Sequence, residues 1–124
     1  MSIAMVLADD HAMVRESLTR WLASTPDIRV VASVGCAEDA LTACVEHTPD
    51  IVLLDIDMPG MSVLEAARQI KVSCPETRIV ILSAFYHDRY IEDALKAGAS
   101  GYVTKTESVD QIVKAIREVG AGGA

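Results

Sequence analysis

"IVLLDIDMPG", Ile51 to Gly60, drives four large apolar residues into Asp55 and then adds a second carboxylate, Asp57, and a Pro-Gly turn. A run that is apolar at every position fits a central parallel strand covered on both faces, not a strand with one wet side. A carboxylate at the end of such a strand is costly when buried alone, so it is normally protonated, paired or metal-bound. The stretch therefore predicts a strand that delivers a charge to a site, and the partners of that charge must lie elsewhere in the chain.

Outward from this strand the pattern repeats. Strands are expected near 3–8, 28–34, 50–54, 78–82 and 101–104, alternating with helical periods near 13–24, 37–47, 62–73, 88–97 and 108–119. The helices carry apolar stripes: Val14, Leu18, Trp21 and Leu22; Leu41, Cys44 and Val45; Val63, Ala67 and Ile70; Ile91, Ala94 and Leu95; Val109, Ile112, Val113 and Ile116. Each stripe is expected to pack on a sheet. Ser62-x-x-Glu65 and Ser108-x-x-Gln111 match the capping box, and Ala97-Gly98-Ala99 supplies a glycine stop. A strand–helix unit taken five times gives an α/β fold, a three-layer, doubly wound sandwich.

At 124 residues the chain is one domain, large enough to fold without a disulfide or structural metal. The longest apolar run, Ile3 to Ala8, is far short of the roughly 20 residues of a membrane helix. The N-terminus lacks the basic start, long apolar stretch and cleavage site of a secretory signal, so a cytoplasmic location is expected. Cys36, Cys44 and Cys74 show no metal-ligand spacing and read as free core thiols. Eighteen acidic against eleven basic residues give a net charge of −7, with no Lys/Arg patch suited to a nucleic acid.

In open parallel sheets the functional crevice lies beyond the carboxyl ends of the strands. There the sequence places Asp9 and Asp10 after the first strand, Asp55 after the third, Ser83 after the fourth and Lys105 after the fifth. Three carboxylates repel one another, and one ammonium offsets a single charge, so the group implies a hard divalent cation, with Mg²⁺ the natural candidate. Such a set suits phosphoryl transfer: a carboxylate as nucleophile, with the cation, the lysine and the hydroxyl neutralising the equatorial oxygens. His11, beside the acidic pair, reads as a surface residue at a helix start, because Mg²⁺ prefers oxygen. Asp57 and Phe85 each lie two residues beyond a site residue, where a side chain can position or exclude an attacking water.

"LADDH", "VLLDIDMPG", "VILSA" and "GASGYVTK", in this order, resemble the receiver domain of bacterial two-component response regulators, across the whole chain. The resemblance implies a flavodoxin/CheY-like parallel sheet in the order 2-1-3-4-5. It implies that Asp55 accepts a phosphoryl group from a sensor histidine kinase, with autodephosphorylation but no turnover of a separate substrate. It further implies Mg²⁺ held at Asp9, Asp10 and Asp55 with the Asp57 backbone carbonyl as a ligand, Ser83 and Lys105 on the phosphoryl group, and Tyr102 as an aromatic switch coupled to Ser83.

"DDHAMVRESL", "GYVTKT" and "IVKAIREVGAGG" look most like the NarL/FixJ type, whose receiver precedes a helix-turn-helix DNA-binding domain. On that resemblance residues 1–119 are the receiver and 120–124 begin a linker, in a domain cut from a longer transcriptional regulator that reaches DNA through its missing part and dimerises on phosphorylation. Lys105-Thr106 departs from the Lys-Pro of many receivers, which points to a looser loop at Lys105. The alternatives are a stand-alone receiver acting by protein contact, a receiver acting without phosphate, and a Mg²⁺-dependent phosphohydrolase with Asp57 as its acid.

Overall fold

A computed structural model describes residues 2–58, 60–84 and 88–121. The elements are β1 (Ile3–Ala8), α1 (Ala12–Ala23), β2 (Ile28–Val34), α2 (Ala37–His47), β3 (Ile51–Asp55), α3 (Val63–Ser73), β4 (Arg78–Ser83), α4 (Asp88–Lys96), β5 (Gly101–Thr104) and α5 (Val109–Gly120). All strand pairs are parallel and the sheet order is β2-β1-β3-β4-β5. This is the expected doubly wound sandwich, and its boundaries fall within a residue or so of those read from the sequence.

The strands are apolar on both sides because both sides are covered. Val6, Ala8, Val52, Leu54, Ile79 and Ile81 face the layer that contains Ala40, Cys44, Ala67, Ile70 and Ala94 of α2, α3 and α4. Met5, Leu7, Ile51, Leu53, Val80 and Leu82 face Leu18, Leu22, Ile112 and Ile116 of α1 and α5. The period-2 alternation of strand side chains thus fills two cores at once. The side chains of Leu53, Leu54, Ile81 and Leu82 are fully buried, so truncating any one of them to alanine costs about 2–5 kcal/mol.

Three stripe residues are turned to solvent. Trp21, Val45 and Leu95 are each more than half exposed. Each stands directly beside a buried residue (Leu22, Cys44 and Ala94), and neighbours on a helix are about 100° apart, which carries the second one round to solvent. Of the two capping boxes, Ser108 accepts a hydrogen bond from the Gln111 N–H at 3.3 Å, whereas Ser62 caps α3 with its backbone only. Cys44 and Cys74 are buried free thiols, as expected, and burial pushes the Cys44 thiol up to about 12; Cys36 is half-buried.

The glycine stop of α4 has the geometry of a Schellman turn. Gly98 has φ +102°, its N–H donates to the Leu95 carbonyl at 3.0 Å, and the Ala99 N–H reaches back to the Ala94 carbonyl at 3.0 Å. That turn sends the chain directly into β5, whose register sets Ser83 opposite Thr104 and so brings Lys105 beside the end of β4. Helix α5 includes Gly120, one residue beyond the receiver boundary expected from the sequence. Among the described residues, no helix is long and apolar enough to cross a membrane.

Candidate functional site

The strand order reverses between β1 and β3, and a crevice opens beyond their carboxyl ends. Register aligns Ala8 with Leu54, so Asp9 and Asp55 leave the sheet side by side. Both are completely buried. Asp55 is the last residue of β3 and Ser83, also buried, the last of β4.

Lys105 closes the rim from the far side. Its ammonium lies 2.8 Å from Asp55 Oδ2 and 3.3 Å from Asp9 Oδ2, and its backbone N–H donates to the Ser83 carbonyl at 2.7 Å. That backbone bond extends the β4–β5 ladder by one residue and aims the side chain across the sheet. The loop after Lys105 is tied down by a 2.9 Å contact between the Thr104 and Thr106 hydroxyls and by the Glu107 N–H on the Thr104 carbonyl. These bonds act where the sequence, lacking proline, pointed to a looser loop.

The second oxygen of each carboxylate is held by a turn. Asp55 Oδ1 accepts the Asp57 N–H at 3.1 Å, and Asp9 Oδ1 accepts the His11 N–H at 2.9 Å, each across two residues. Asp9 Oδ2, by contrast, is buried without a hydrogen-bond partner, with the Lys105 ammonium at ion-pair range only. Burial raises the Asp9 carboxyl above its ordinary value; the His11 N–H opposes this and the adjacent Asp55 charge adds to it. Burial alone would lower the Lys105 value, but the hydrogen bond and charge of Asp55, with Asp9 behind them, outweigh it and hold the ammonium form.

Asp10 is exposed and turned toward the same rim, so that Asp9, Asp10, His11 and Asp55 each offer a ligand atom within 4.8 Å of the others. Two buried carboxylates, a third beside them, a single ammonium and an orphaned buried oxygen form a donor set that fits a divalent cation. Tyr102 stands on the edge strand β5, half-buried against the α2–α3–α4 core. The Asp57 side chain is exposed; Phe85 lies outside the described residues.

Two supporting residues escaped the sequence reading. Arg15, one turn into α1, donates from Nη1 to the Asp9 carbonyl at 2.7 Å and so fixes the acidic turn from behind. Glu38, in the first turn of α2, accepts the Met61 N–H at 3.2 Å and holds the end of the β3–α3 loop. Both act on backbone groups, which leave no mark in a sequence.

A model of the response regulator receiver domain matches residues 5–117. Response regulator GacA of Pseudomonas aeruginosa is 39% identical over 120 residues, covering 97% of this chain and 56% of that protein. Oxygen regulatory protein NreC of Staphylococcus epidermidis is 40% identical over 119 residues, covering 95% of this chain and 55% of that one. The chain therefore spans about half the length of the relatives it matches. Among solved structures, a LuxR-family two-component response regulator from Aurantimonas sp. SI85-9A1 superposes with a TM-score of 0.94 at 36% identity, covering 99% of this chain and 88% of that one. The signal receiver domain of NarL from Mycobacterium tuberculosis superposes with a TM-score of 0.93 at 31% identity, covering 98% of each. The fold, the family match along most of the chain and these relatives agree: the chain belongs to the response regulator receiver domains, of the NarL/FixJ type.

Proposed function

We propose that this receiver is a phosphoryl-accepting switch in which Asp55 is the acceptor and a sensor histidine kinase the physiological donor. The observation that carries the reading is the position of Asp55: fully buried at the switch point of the sheet, yet facing a crevice with Lys105 at 2.8 Å and the orphaned Asp9 oxygen beside it. An Asp55 oxygen forms the new bond to phosphorus while the donor's bond to phosphorus breaks and the leaving group keeps that electron pair. Lys105, 2.8 Å from the acceptor carboxylate, and the Ser83 hydroxyl would neutralise charge on the transferred group.

Mg²⁺ fits the donor set, with Asp9, Asp10, Asp55 and the Asp57 backbone carbonyl as its protein ligands. When bound it supplies positive charge that the single ammonium cannot. The His11 N–H bond to Asp9 Oδ1 favours the carboxylate and opposes the burial that raises the Asp9 carboxyl, and Arg15 keeps the turn in place.

Phosphorylation adds about two negative charges at the crevice. The Lys105 N–H on the Ser83 carbonyl joins the ends of β4 and β5, so a shift of Ser83 toward the phosphoryl oxygens is passed to β5, where Tyr102 stands. The change would alter the surface at the fourth helix and fifth strand, and through it a helix-turn-helix DNA-binding domain beyond this chain, with dimers formed on phosphorylation. The setting is cytoplasmic, and the domain itself contacts proteins, not nucleic acid or membrane. Asp57 and Phe85 would set the lifetime of the phosphoaspartate by standing over the attacking water.

Phosphorus NMR of the domain with acetyl phosphate and Mg²⁺ tests the reading. An acyl phosphate resonance on the protein, decaying by self-hydrolysis, is expected. Continuous hydrolysis of unrelated phosphate esters would instead make the domain a phosphohydrolase.

A further inference from the structure

His11 caps the start of α1 with no side-chain hydrogen bond to the helix, and its side chain is 65% exposed. Its imidazole nonetheless turns back to the acidic rim. Nδ1 lies 3.3 Å from Asp10 Oδ1 and 3.6 Å from Asp9 Oδ1. Both distances exceed the roughly 2.7–2.9 Å of a charge-assisted hydrogen bond. The shorter one is near the separation of about 3 Å between neighbouring ligand atoms around an octahedral ion with bonds near 2.1 Å.

A second observation points to a ligand at the same place. The Asp9 carboxylate is completely buried, and its Oδ2 has no hydrogen-bond partner, with the Lys105 ammonium 3.3 Å away. The four-residue set of Asp9, Asp10, His11 and Asp55 thus combines three hard oxygens with one borderline nitrogen within 4.8 Å. Carboxylate and water suit Mg²⁺ and Mn²⁺, whereas imidazole favours the later first-row ions, and affinity rises along the series from Mn²⁺ toward Cu²⁺.

We propose that His11 is a direct ligand for divalent first-row transition ions, so that the cation site of this receiver takes Mn²⁺ or Co²⁺ in preference to Mg²⁺. This rests on the cation reading given above and deepens it. The imidazole reaches the ion by Nδ1, the nitrogen that already faces Asp10, and no backbone movement is needed because the side chain is held by nothing else on α1. Mg²⁺ gains little from the same nitrogen and is left to the oxygens.

The test uses Mn²⁺ alone, with no phosphodonor, on domain carrying heavy-nitrogen-labelled histidine. Electron spin echo modulation reads histidine bound to Mn²⁺, and calorimetric titrations with Mn²⁺ and Mg²⁺ at neutral pH give the selectivity. A histidine coupling is expected in the parent and is lost in His11→Ala, while His47 and His87 remain as internal controls. The ratio of Mn²⁺ to Mg²⁺ affinity should fall by about tenfold or more, since even outer partners of a metal site command that range. Mn²⁺ binding without a histidine coupling, and with an unchanged ratio, overturns the proposal and leaves the oxygen site standing. No binding of either ion overturns both.

Discussion

Lys105 stands with its ammonium 2.8 Å from Asp55 Oδ2, and the same ammonium is the sole cation within ion-pair range of the buried Asp9 among the described lysines and arginines. One positive charge thus serves two buried carboxylates. The two buried carboxylates are left one positive charge short, and the orphaned Asp9 oxygen shows where the shortfall is felt.

Lys105→Ala should therefore destabilise the metal-free domain, because it leaves two buried carboxylates without a counter-charge. Breaking a buried pair costs about 3–5 kcal/mol, and since the lysine is 19% exposed a loss of about 1–3 kcal/mol is expected. Urea unfolding with and without Mg²⁺ checks this: most of the loss should return when the cation is added.

The raised Asp9 carboxyl makes the site's contribution to stability fall as pH rises. In the window between 3.8 and the higher folded value the native state binds the extra proton, so stability decreases with pH there, and the penalty is fully present above it. Asp9→Asn should flatten this part of the urea-midpoint profile. Lys105 acts at the other end, its raised value meaning that its contribution is present below 10.5 and is lost as pH rises through the folded value.

At Gly98, φ +102° and the approach of Lys71, whose Cγ would lie 2.9 Å from an added Cβ, both exclude a side chain. Gly98→Ala should lower stability by about 1–2 kcal/mol, read as a shift of the thermal midpoint. Because the turn launches β5, the loss should be accompanied by weaker hydrogen-exchange protection of Gly101–Thr104.

Ser83 is completely buried at the end of β4, beside the crevice. Ser83→Ala should accept phosphoryl groups from acetyl phosphate about a hundredfold more slowly, the scale of one transition-state donor.

If Asp57 and Phe85 stand over the attacking water, Asp57→Asn and Phe85→Ala should each change the decay rate of the phosphorylated domain, followed by loss of the acyl phosphate after the donor is removed. Decay rates equal to the parent's would leave the lifetime to other residues.

The fold was legible because the strands are buried on both faces and the helices on one, so Ile51–Leu54 and Ile79–Leu82 differ in kind from the striped helices between them. The grouping of the candidate site residues followed from the same pattern, since Asp9, Asp55, Ser83 and Lys105 stand at or just beyond the carboxyl ends of the strands. What stayed hidden is what side chains do to backbone. Arg15 on the Asp9 carbonyl and Glu38 on the Met61 N–H connect residues through groups every residue has. His11 was legible as a helix start, but the turn of its imidazole back to Asp10 depends on a rotamer that no spacing encodes. Trp21 shows the converse, an apolar residue whose type suggested a core and whose angle about the helix left it in solvent.

The most direct test of the account is the intact mass of the domain after acetyl phosphate treatment, with and without Mg²⁺, beside Asp55→Asn. A single phosphoryl adduct is expected on the parent, one that requires the cation and is absent from the variant. An adduct of equal yield on Asp55→Asn, or one indifferent to Mg²⁺, would contradict it.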